Sequence, residues 1–182
     1  MDTDEDVITQ YLEGDPQALK ILIDRYTPIL YNFTARFTGT FHAADVVQDV
    51  FIKAWKSIGK FNASKARFKT WIFAIARNTI IDHLRKKRSL VFSDIQNDDT
   101  DSFDESIADE SPLPDEMLEK LEDKTFLNGM IAKLPADYQT VLLMYYGEDM
   151  TFAEIGEVLS KPLNTVKSHH RRAVQKLRAM MS

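Results

Sequence analysis

Apolar residues recur at helical spacing through most of the chain, and no long stretch alternates between apolar and polar positions. Glycine and proline number only six each, which is few for a turn-rich β fold. We therefore expect an all-α fold, in which Pro28 bends or splits the first long helix. The predicted helices span about 16–38, 42–58, 67–88, 116–133, 135–147, 151–159 and 162–180.

The carboxyl-terminal part carries the pattern of a helix-turn-helix. Thr151 and Glu154 form a capping-box pair, in which each side chain accepts from the other residue's backbone amide. After the turn Ser160-Lys161-Pro162 comes a longer helix, with five bases and no acid from Asn164 to the end. A short helix, a tight turn and a longer basic helix are typical of proteins that place the second helix in the DNA major groove.

This last helix has an apolar side and a polar side. The apolar side includes Leu163, His170 and Leu177 and is expected to pack, whereas His169 is expected to make a DNA backbone contact at best. Arginine on the polar side can read guanine, and asparagine or glutamine can read adenine. The alternative is a solvated surface helix. The residues on or beside the polar side are Asn164, Lys167, Ser168, Arg171, Arg172, Gln175 and Arg178.

The helix predicted over 42–58 has a polar face that an isoleucine interrupts. A stripe from Val46 to Ile58 is apolar and should be buried. A solvated face does not need an isoleucine, whereas a surface that docks on a partner does. The alternative is a singly exposed isoleucine, which is common. The residues opposite the stripe, or beside that face, are Asp45, Gln48, Asp49, Ile52 and Lys56.

Aromatic side chains lie among cations along the next helix and the loop before it. Trp71 and Asn78 fall on the less apolar side of this helix, where a core makes little use of them. Cations can follow phosphates while rings stack on unpaired bases, so the pattern suits single-stranded nucleic acid. The alternative is that the rings belong to the core and the cations are solvated. The rings are Phe61, Phe68 and Trp71, and the cations are Lys60, Lys65, Arg67, Lys69, Arg77, Arg85, Lys86, Lys87 and Arg88.

The net charge of −5 at pH 7 conceals a strong segregation of charge. Residues 1–49 carry three bases and nine acids, and residues 50–92 carry eleven bases and one acid. Residues 93–123 carry one base and thirteen acids, and residues 124–182 carry eight bases and five acids. Two basic zones therefore flank a strongly acidic segment, so the negative total does not exclude nucleic acid.

The acidic segment divides the chain into two modules. It has no apolar period and ends in the helix-breaking Pro112-Leu113-Pro114, so we expect a flexible linker over 92–114. The modules then cover 1–91 and 115–182. An alternative is that the linker is only a solubilising spacer.

Composition excludes several classes of function. The chain has no cysteine, which excludes disulfides, zinc fingers and thiol nucleophiles. No apolar run approaches the ~18–20 residues that a membrane span needs, and the acidic start does not resemble a secretory signal. We expect no catalytic residue, metal site, cofactor or stable membrane insertion. A metal-dependent phosphoesterase using Asp98, Asp99 and Asp101 is a rival, but these carboxylates have no rigid scaffold.

Two groups of segments resemble bacterial RNA polymerase sigma factors. The segments 44–55 (ADVVQDVFIKAW) and 68–85 (FKTWIFAIARNTIIDHLR) resemble the second conserved region. The segments 134–139 (LPADYQ), 151–159 (TFAEIGEVL) and 164–168 (NTVKS) resemble the fourth. The stretch between them is too short for a third sigma domain. This arrangement is similar to the extracytoplasmic-function (ECF) group of the sigma-70 family.

The resemblance implies a transcription initiation factor that performs no bond chemistry. Its implied partners are core RNA polymerase (the β′ clamp helices and the β subunit), promoter DNA and an anti-sigma factor, and its implied location is the cytoplasm. The segment 161–164 departs from the family pattern, in which many relatives carry a glycine just before the Thr-Val-Lys. This departure affects the expected base preference more than the fold.

The resemblance also implies roles for individual residues. Polymerase would bind Asp45, Gln48, Asp49, Ile52 and Lys56. The minus-ten element and the melted strand would contact Lys60, Phe61, Asn62, Lys65, Arg67, Phe68, Trp71, Asn78, Arg85, Lys86 and Arg88. The minus-thirty-five element would contact Asn164, Thr165, Lys167, Ser168, Arg171, Arg172 and Gln175. The main rival is a stand-alone helix-turn-helix regulator whose first module is a sensor or dimerisation domain.

Overall fold

The computed structural model describes residues 2–91 and 124–181, and within these ranges the regular elements are helices without any β-strand. The all-α prediction is therefore confirmed for this part of the chain. The predicted linker over 92–114 and the first residues of the helix predicted over 116–133 lie outside the described residues. Every helix within the described ranges is too short or too polar to span a bilayer.

The first module consists of four α-helices. Helix α1 was not predicted, although its amino-terminal signal is present: Thr3 and Asp6 form a capping box ahead of an acidic first turn. Pro28 lies inside α2 and does not split it. Because Pro28 is exposed, water can satisfy the carbonyl that the proline leaves without a donor. The helices are α1 (Asp4–Leu12), α2 (Ala18–Thr38), α3 (Thr40–Ser57), which a 3₁₀ turn (Ile58–Lys60) follows, and α4 (Phe68–Val91).

The second module contains the expected helix-turn-helix. The capping box of Thr151 and Glu154 is formed, and the turn begins at Ser160, which has the left-handed φ of 53°. The helices are α5 (Lys124–Ile131), α6 (Ala136–Leu142), which continues into a π-helical turn (Leu143–Gly147), α7 (Phe152–Leu159) and α8 (Leu163–Met181).

The buried side chains connect the two modules. One cluster of buried apolar residues runs from the first module, where it includes Phe68 and Phe73, into the second, where it includes Met144 and Ile155. A smaller cluster around Leu177 lies within the second module. Helix α4 packs against α7, so the first helix of the helix-turn-helix is held on the first module.

Candidate nucleic-acid and partner-binding surfaces

The predicted docking residues on α3 form an open face. Ile52 is 43% exposed, a high fraction for an isoleucine among polar neighbours. The opposite stripe of α3, including Val46 and Val50, is buried as predicted. The structure thus brings one apolar side chain and several charged ones to a single accessible surface. The exposed residues of this surface, the α3 face, are Asp45, Gln48, Asp49, Ile52 and Lys56.

An apolar groove of about 430 Å³ adjoins the α3 face. Its wall on α2, which includes Ile23 and Tyr31, was not predicted from the sequence. The rings of Phe51 and Trp55 stack with their centroids 5.6 Å apart on the α3 side. The groove is lined by Ile23, Thr27, Tyr31, Ala44, Val47, Gln48, Phe51, Ile52 and Trp55.

The three rings predicted to stack on bases are in mutual contact but differ in accessibility. The centroid of Phe61 lies 5.4 Å from that of Trp71 and 5.7 Å from that of Phe68. Phe61 and Trp71 are half-buried. Phe68 is 0% exposed and contacts the buried ring of Tyr26 edge-on, so no base can reach it. This corrects the expectation for Phe68, whose buried ring contacts the other two rings.

The outward side of α4 and the preceding loop keep most of the other candidates accessible. Asn78, Arg85 and Lys86 are exposed, and Arg85 lies 3.3 Å from the carboxylate of Asp82. In the loop, the side-chain oxygen of Asn62 accepts from the backbone amide (2.9 Å) and hydroxyl (2.7 Å) of Ser64, which orders the turn. Lys60 and Lys65 are exposed on either side of it. The side chain of Arg88 lies outside the described part of the chain.

Three cations near this surface are paired with carboxylates of the second module. Arg67 lies 3.6 Å from Glu154, Lys69 lies 3.3 Å from Glu148, and Arg77 lies 2.9 Å from Asp137. Sequence reasoning treated these cations as solvated or as phosphate ligands. The sequence pattern does not indicate their intramolecular partners, because these carboxylates lie 60 or more residues away along the chain.

The pKa values of Glu148 and Asp137, two of the carboxylates in these pairs, shift in opposite directions. Burial of the Glu148 carboxyl raises its pKa above the ordinary value, although Lys69 opposes that effect. Burial also acts to raise the pKa of Asp137, but hydrogen bonds from Lys161 and Arg77 outweigh it and lower that pKa. Asp137 is therefore a firmly ionised link between α4 and the turn of the helix-turn-helix, because Lys161 lies 2.8 Å from its other oxygen.

Helix α8 presents its polar side largely as predicted. Asn164, Lys167 and Gln175 are exposed, whereas Arg171 and Arg172 are half-buried, and the Nε atom of Arg171 is buried. Thr165 and Ser168 are also half-buried, and the hydroxyl of Ser168 donates to the backbone carbonyl of Thr165 at 2.8 Å. These residues lie on one side of a helix whose other side is packed. We call this surface the α8 face; its residues are Asn164, Thr165, Lys167, Ser168, Arg171, Arg172 and Gln175.

The apolar side of α8 departs from expectation at two positions. His169 is 2% exposed and its ring packs on that of Tyr138, with centroids 5.0 Å apart, so it cannot make a DNA backbone contact. Leu163, the first residue of the helix, was expected to pack but is 45% exposed. His170 is buried as expected. Burial lowers its pKa, and its ring shares a 2.9 Å hydrogen bond with the Tyr146 hydroxyl.

A metal centre is not apparent in residues 2–91 and 124–181, where no three His, Cys, Asp or Glu side chains come together as ligands. The acidic residues proposed for the rival phosphoesterase, Asp98, Asp99 and Asp101, lie outside the described residues.

Both modules match known protein families. A family model described as Sigma-70 region 2 matches residues 22–90, and one described as Sigma-70, region 4 matches residues 130–179. The chain is similar to the ECF RNA polymerase sigma factor SigW of Bacillus subtilis (strain 168). The two are 33% identical over 178 residues, which cover 96% of this chain and 94% of SigW.

Solved structures share the fold. A chain in the structure of CnrH in complex with the cytosolic domain of CnrY matches with a TM-score of 0.71 at 23% identity, covering 99% of this chain and 97% of that chain. A chain in the co-crystal structure of the sigma factor RpoE with the anti-sigma factor NepR from Bartonella quintana matches with a TM-score of 0.67 at 23% identity. That match covers 90% of this chain and 96% of that chain.

Proposed function

This chain belongs to the sigma-70 family of RNA polymerase sigma factors, in the ECF group, and from that premise we propose how its two modules divide the work of starting transcription. The chain binds core RNA polymerase, directs it to specific promoters and helps to open the DNA. One observation carries the proposal: a single chain joins an accessible ring-bearing cationic helix, in the module that matches region 2, to a helix-turn-helix, in the module that matches region 4. We call these modules region 2 (1–91) and region 4 (115–182), with 92–114 as the linker.

The α3 face and the adjoining groove dock on the β′ clamp helices of the polymerase. The groove is apolar and lies beside Ile52, while Asp45 and Asp49 carry negative charge next to it. A helix with an apolar ridge and basic flanks is complementary to such a surface, since apolar contacts give affinity and charges set the register. Region 4 contacts the β subunit in the same assembly.

The outward side of α4 holds the melted strand of the minus-ten element. Phe61 and Trp71 are half-buried, so each ring is anchored on one side and accessible on the other. Stacking of an unpaired base on such a ring stabilises the complex by about 1–3 kcal/mol, which offsets the few kcal/mol that flipping a base costs. Asn62 and Asn78 are the neighbouring hydrogen-bonding groups, and the exposed cations around them hold phosphates. The other expected contacts are Lys60, Lys65, Arg67, Arg85, Lys86 and Arg88.

The α8 face reads the duplex of the minus-thirty-five element. In the proposed complex the amino-terminal half of α8 enters the major groove, as the second helix of a helix-turn-helix does, and its side chains reach base edges. Cations on its shoulders hold the phosphates and fix the register. An anti-sigma factor is a further partner, as RpoE of the same fold has been crystallised with one. The protein acts in the cytoplasm, with the polymerase, and catalyses no reaction itself.

The direct test is run-off transcription with purified core polymerase and a library of genomic promoter fragments. We expect the full chain to convert core polymerase, which is inactive on these templates, into an enzyme with discrete start sites. A second reaction with the chain alone and a third with core polymerase alone are the controls. If no promoter fragment yields a discrete transcript, although the folded chain is present in excess, the proposed function is wrong.

Replacement of Arg171 by alanine tests base reading by α8. If its guanidinium contacts a base, binding of the holoenzyme to its promoter should weaken by about 1–3 kcal/mol and discrimination at that position should relax. Binding to a promoter with a scrambled minus-thirty-five element is the control. An equal loss on both promoters would assign Arg171 to the phosphate backbone and remove it from base reading.

A further inference from the structure

One carboxylate at the start of the chain is held between α1 and α2. Asp4, the first residue of α1, accepts a hydrogen bond from the guanidinium of Arg25 on one carboxylate oxygen and from the hydroxyl of Tyr26 on the other. The side chain of Asp4 is 16% exposed and that of Arg25 is 32% exposed. The same guanidinium donates to the backbone carbonyl of Asp2 at 3.2 Å. Asp4 therefore fixes the positions of two neighbouring side chains of α2.

Tyr26 belongs to the aromatic cluster that contains the two accessible rings of region 2. Its own ring is 4% exposed and meets the buried ring of Phe68 edge-on, with centroids 5.2 Å apart. The centroid of Phe68 lies 5.7 Å from that of Phe61 and 5.6 Å from that of Trp71. Aromatic pairs of this kind prefer a definite geometry, so a shift of the Tyr26 ring changes the best position of Phe68. A continuous series of contacts thus leads from the carboxylate of Asp4 to the rings.

The hydrogen bond between Tyr26 and Asp4 is shielded from water and charge-assisted. Burial and the neighbouring Asp4 carboxylate raise the pKa of the Tyr26 hydroxyl above its ordinary value, so the hydroxyl keeps its proton and donates it. A buried hydroxyl without an acceptor is costly. Removal of the carboxylate therefore favours movement of the tyrosine ring toward water.

We infer that Asp4 is a positioning residue for promoter opening, which acts through Tyr26 and Phe68 to hold Phe61 and Trp71 in the arrangement that receives an unpaired base. A binding site is precise only when the residues behind it lock its side chains by packing and hydrogen bonds. The inference rests on the proposed function for the identity of the ligand, but the positioning of the rings by Asp4 does not.

Fluorescence of Trp71 tests the positioning without DNA. The chain has two tryptophans, so Trp55→Phe makes Trp71 the only one. In that background Asp4→Ala and Tyr26→Phe each remove the hydrogen bond and should each raise the rate at which acrylamide quenches Trp71. The variant that combines them should show no further rise, because all three lack the same bond. Circular dichroism establishes that each variant is folded.

A matched control lies in the same turn of α1. Asp6 is exposed and forms the capping box with Thr3, and its side chain has no contact with Tyr26 among the hydrogen bonds of the described residues. Asp6→Ala therefore makes the same truncation, removes the same charge and weakens the start of α1, but keeps the bond to Tyr26. It should retain the parental quenching rate. Equal rises for Asp6→Ala and Asp4→Ala would assign the effect to the stability of α1 and overturn the positioning.

Binding of a single strand tests the consequence for promoter opening. The probe is a short fluorescein-labelled strand that covers the minus-ten element of a promoter found by run-off transcription, titrated with holoenzyme. If about 80% of the Asp4→Ala molecules lose the receiving arrangement, the apparent affinity should fall about fivefold. Loss of a negative charge alone would instead favour DNA, and Asp6→Ala reports that effect. When Phe61→Ala and Trp71→Ala are both present, Asp4→Ala should change the affinity by less than about twofold, because the rings through which it acts are absent.

The outcomes separate the positioning from the proposed function. Unchanged quenching in folded Asp4→Ala and Tyr26→Phe would overturn the positioning of the rings, whatever the polymerase assay shows. A rise in quenching without loss of strand affinity relative to Asp6→Ala, or an equal loss in the variant that lacks both rings, would overturn the role in promoter opening. Failure of run-off transcription would overturn the proposed function, while a rise in quenching would still establish that Asp4 positions the rings.

Discussion

The substitution Ile52→Asp should weaken binding of the chain to core RNA polymerase by about 30-fold or more. Ile52 is the apolar side chain at the centre of the α3 face and part of the groove wall, and it is 43% exposed in the free protein. An apolar anchor at the centre of an interface typically accounts for about 2 kcal/mol or more, and a carboxylate there adds the cost of its desolvation. Fluorescence anisotropy of the labelled chain titrated with core polymerase measures the effect.

A matched control exists on the neighbouring helix. Ile21 of α2 is 41% exposed and does not line the groove, so Ile21→Asp makes the same chemical change at nearly the same exposure. It should leave the affinity for core polymerase within about twofold, because isolated surface substitutions usually change energies by less than about 0.5 kcal/mol. Equal losses for the two variants would exclude the α3 face as the docking surface.

The substitution Gly156→Ala should destabilise region 4 by about 1–2 kcal/mol, because strain of up to about 3 kcal/mol is set against a gain of about 1 kcal/mol in helix propensity. A Cβ at Gly156 would lie 2.9 Å from the backbone carbonyl oxygen of Lys161, an atom of the turn that cannot rotate away. That same turn is closed by the 2.9 Å hydrogen bond from the Lys161 amide to the Gly156 carbonyl. The strain from this close contact should exceed the gain of about 1 kcal/mol in helix propensity. It would act on the turn that sets the orientation of α8.

The control is the same substitution at another helical glycine. A Cβ at Gly129 of α5 would meet no atom within 4 Å, and the residue is exposed. Gly129→Ala should therefore stabilise the protein by about 0.5–1 kcal/mol through helix propensity alone. Thermal and urea unfolding of both variants give the two free-energy changes. Stabilisation by both would show that the turn shifts without cost, and binding of the minus-thirty-five duplex should then be retained.

The arrangement of the two regions gives α4 two functional sides. One side carries Trp71 and Asn78 and is open, whereas the other carries Lys69 and Arg77 and holds region 4.

The sequence by itself determined the helical class, the α3 face and the helix-turn-helix. These features depend on local spacing and on nearby partners, such as the hydroxyl of Thr151 and the carboxylate of Glu154 three residues later. The same locality made α1 predictable in principle from Thr3 and Asp6, although the helix was not predicted. The exposed position of Ile52 followed from the angle between successive residues of one helix.

Only the tertiary structure decided which members of a helical pattern are accessible. Phe61, Phe68 and Trp71 are alike in the sequence, but Phe68 is buried because Tyr26 of α2 covers it. His169 is buried because Tyr138 of α6 lies against it. The pairing of α4 with carboxylates of region 4, like the α2 wall of the groove, depends on helices distant along the chain. Helical periodicity and charge identify the helix face that a residue occupies. The packing of helices distant along the chain determines whether that face is buried, paired or accessible.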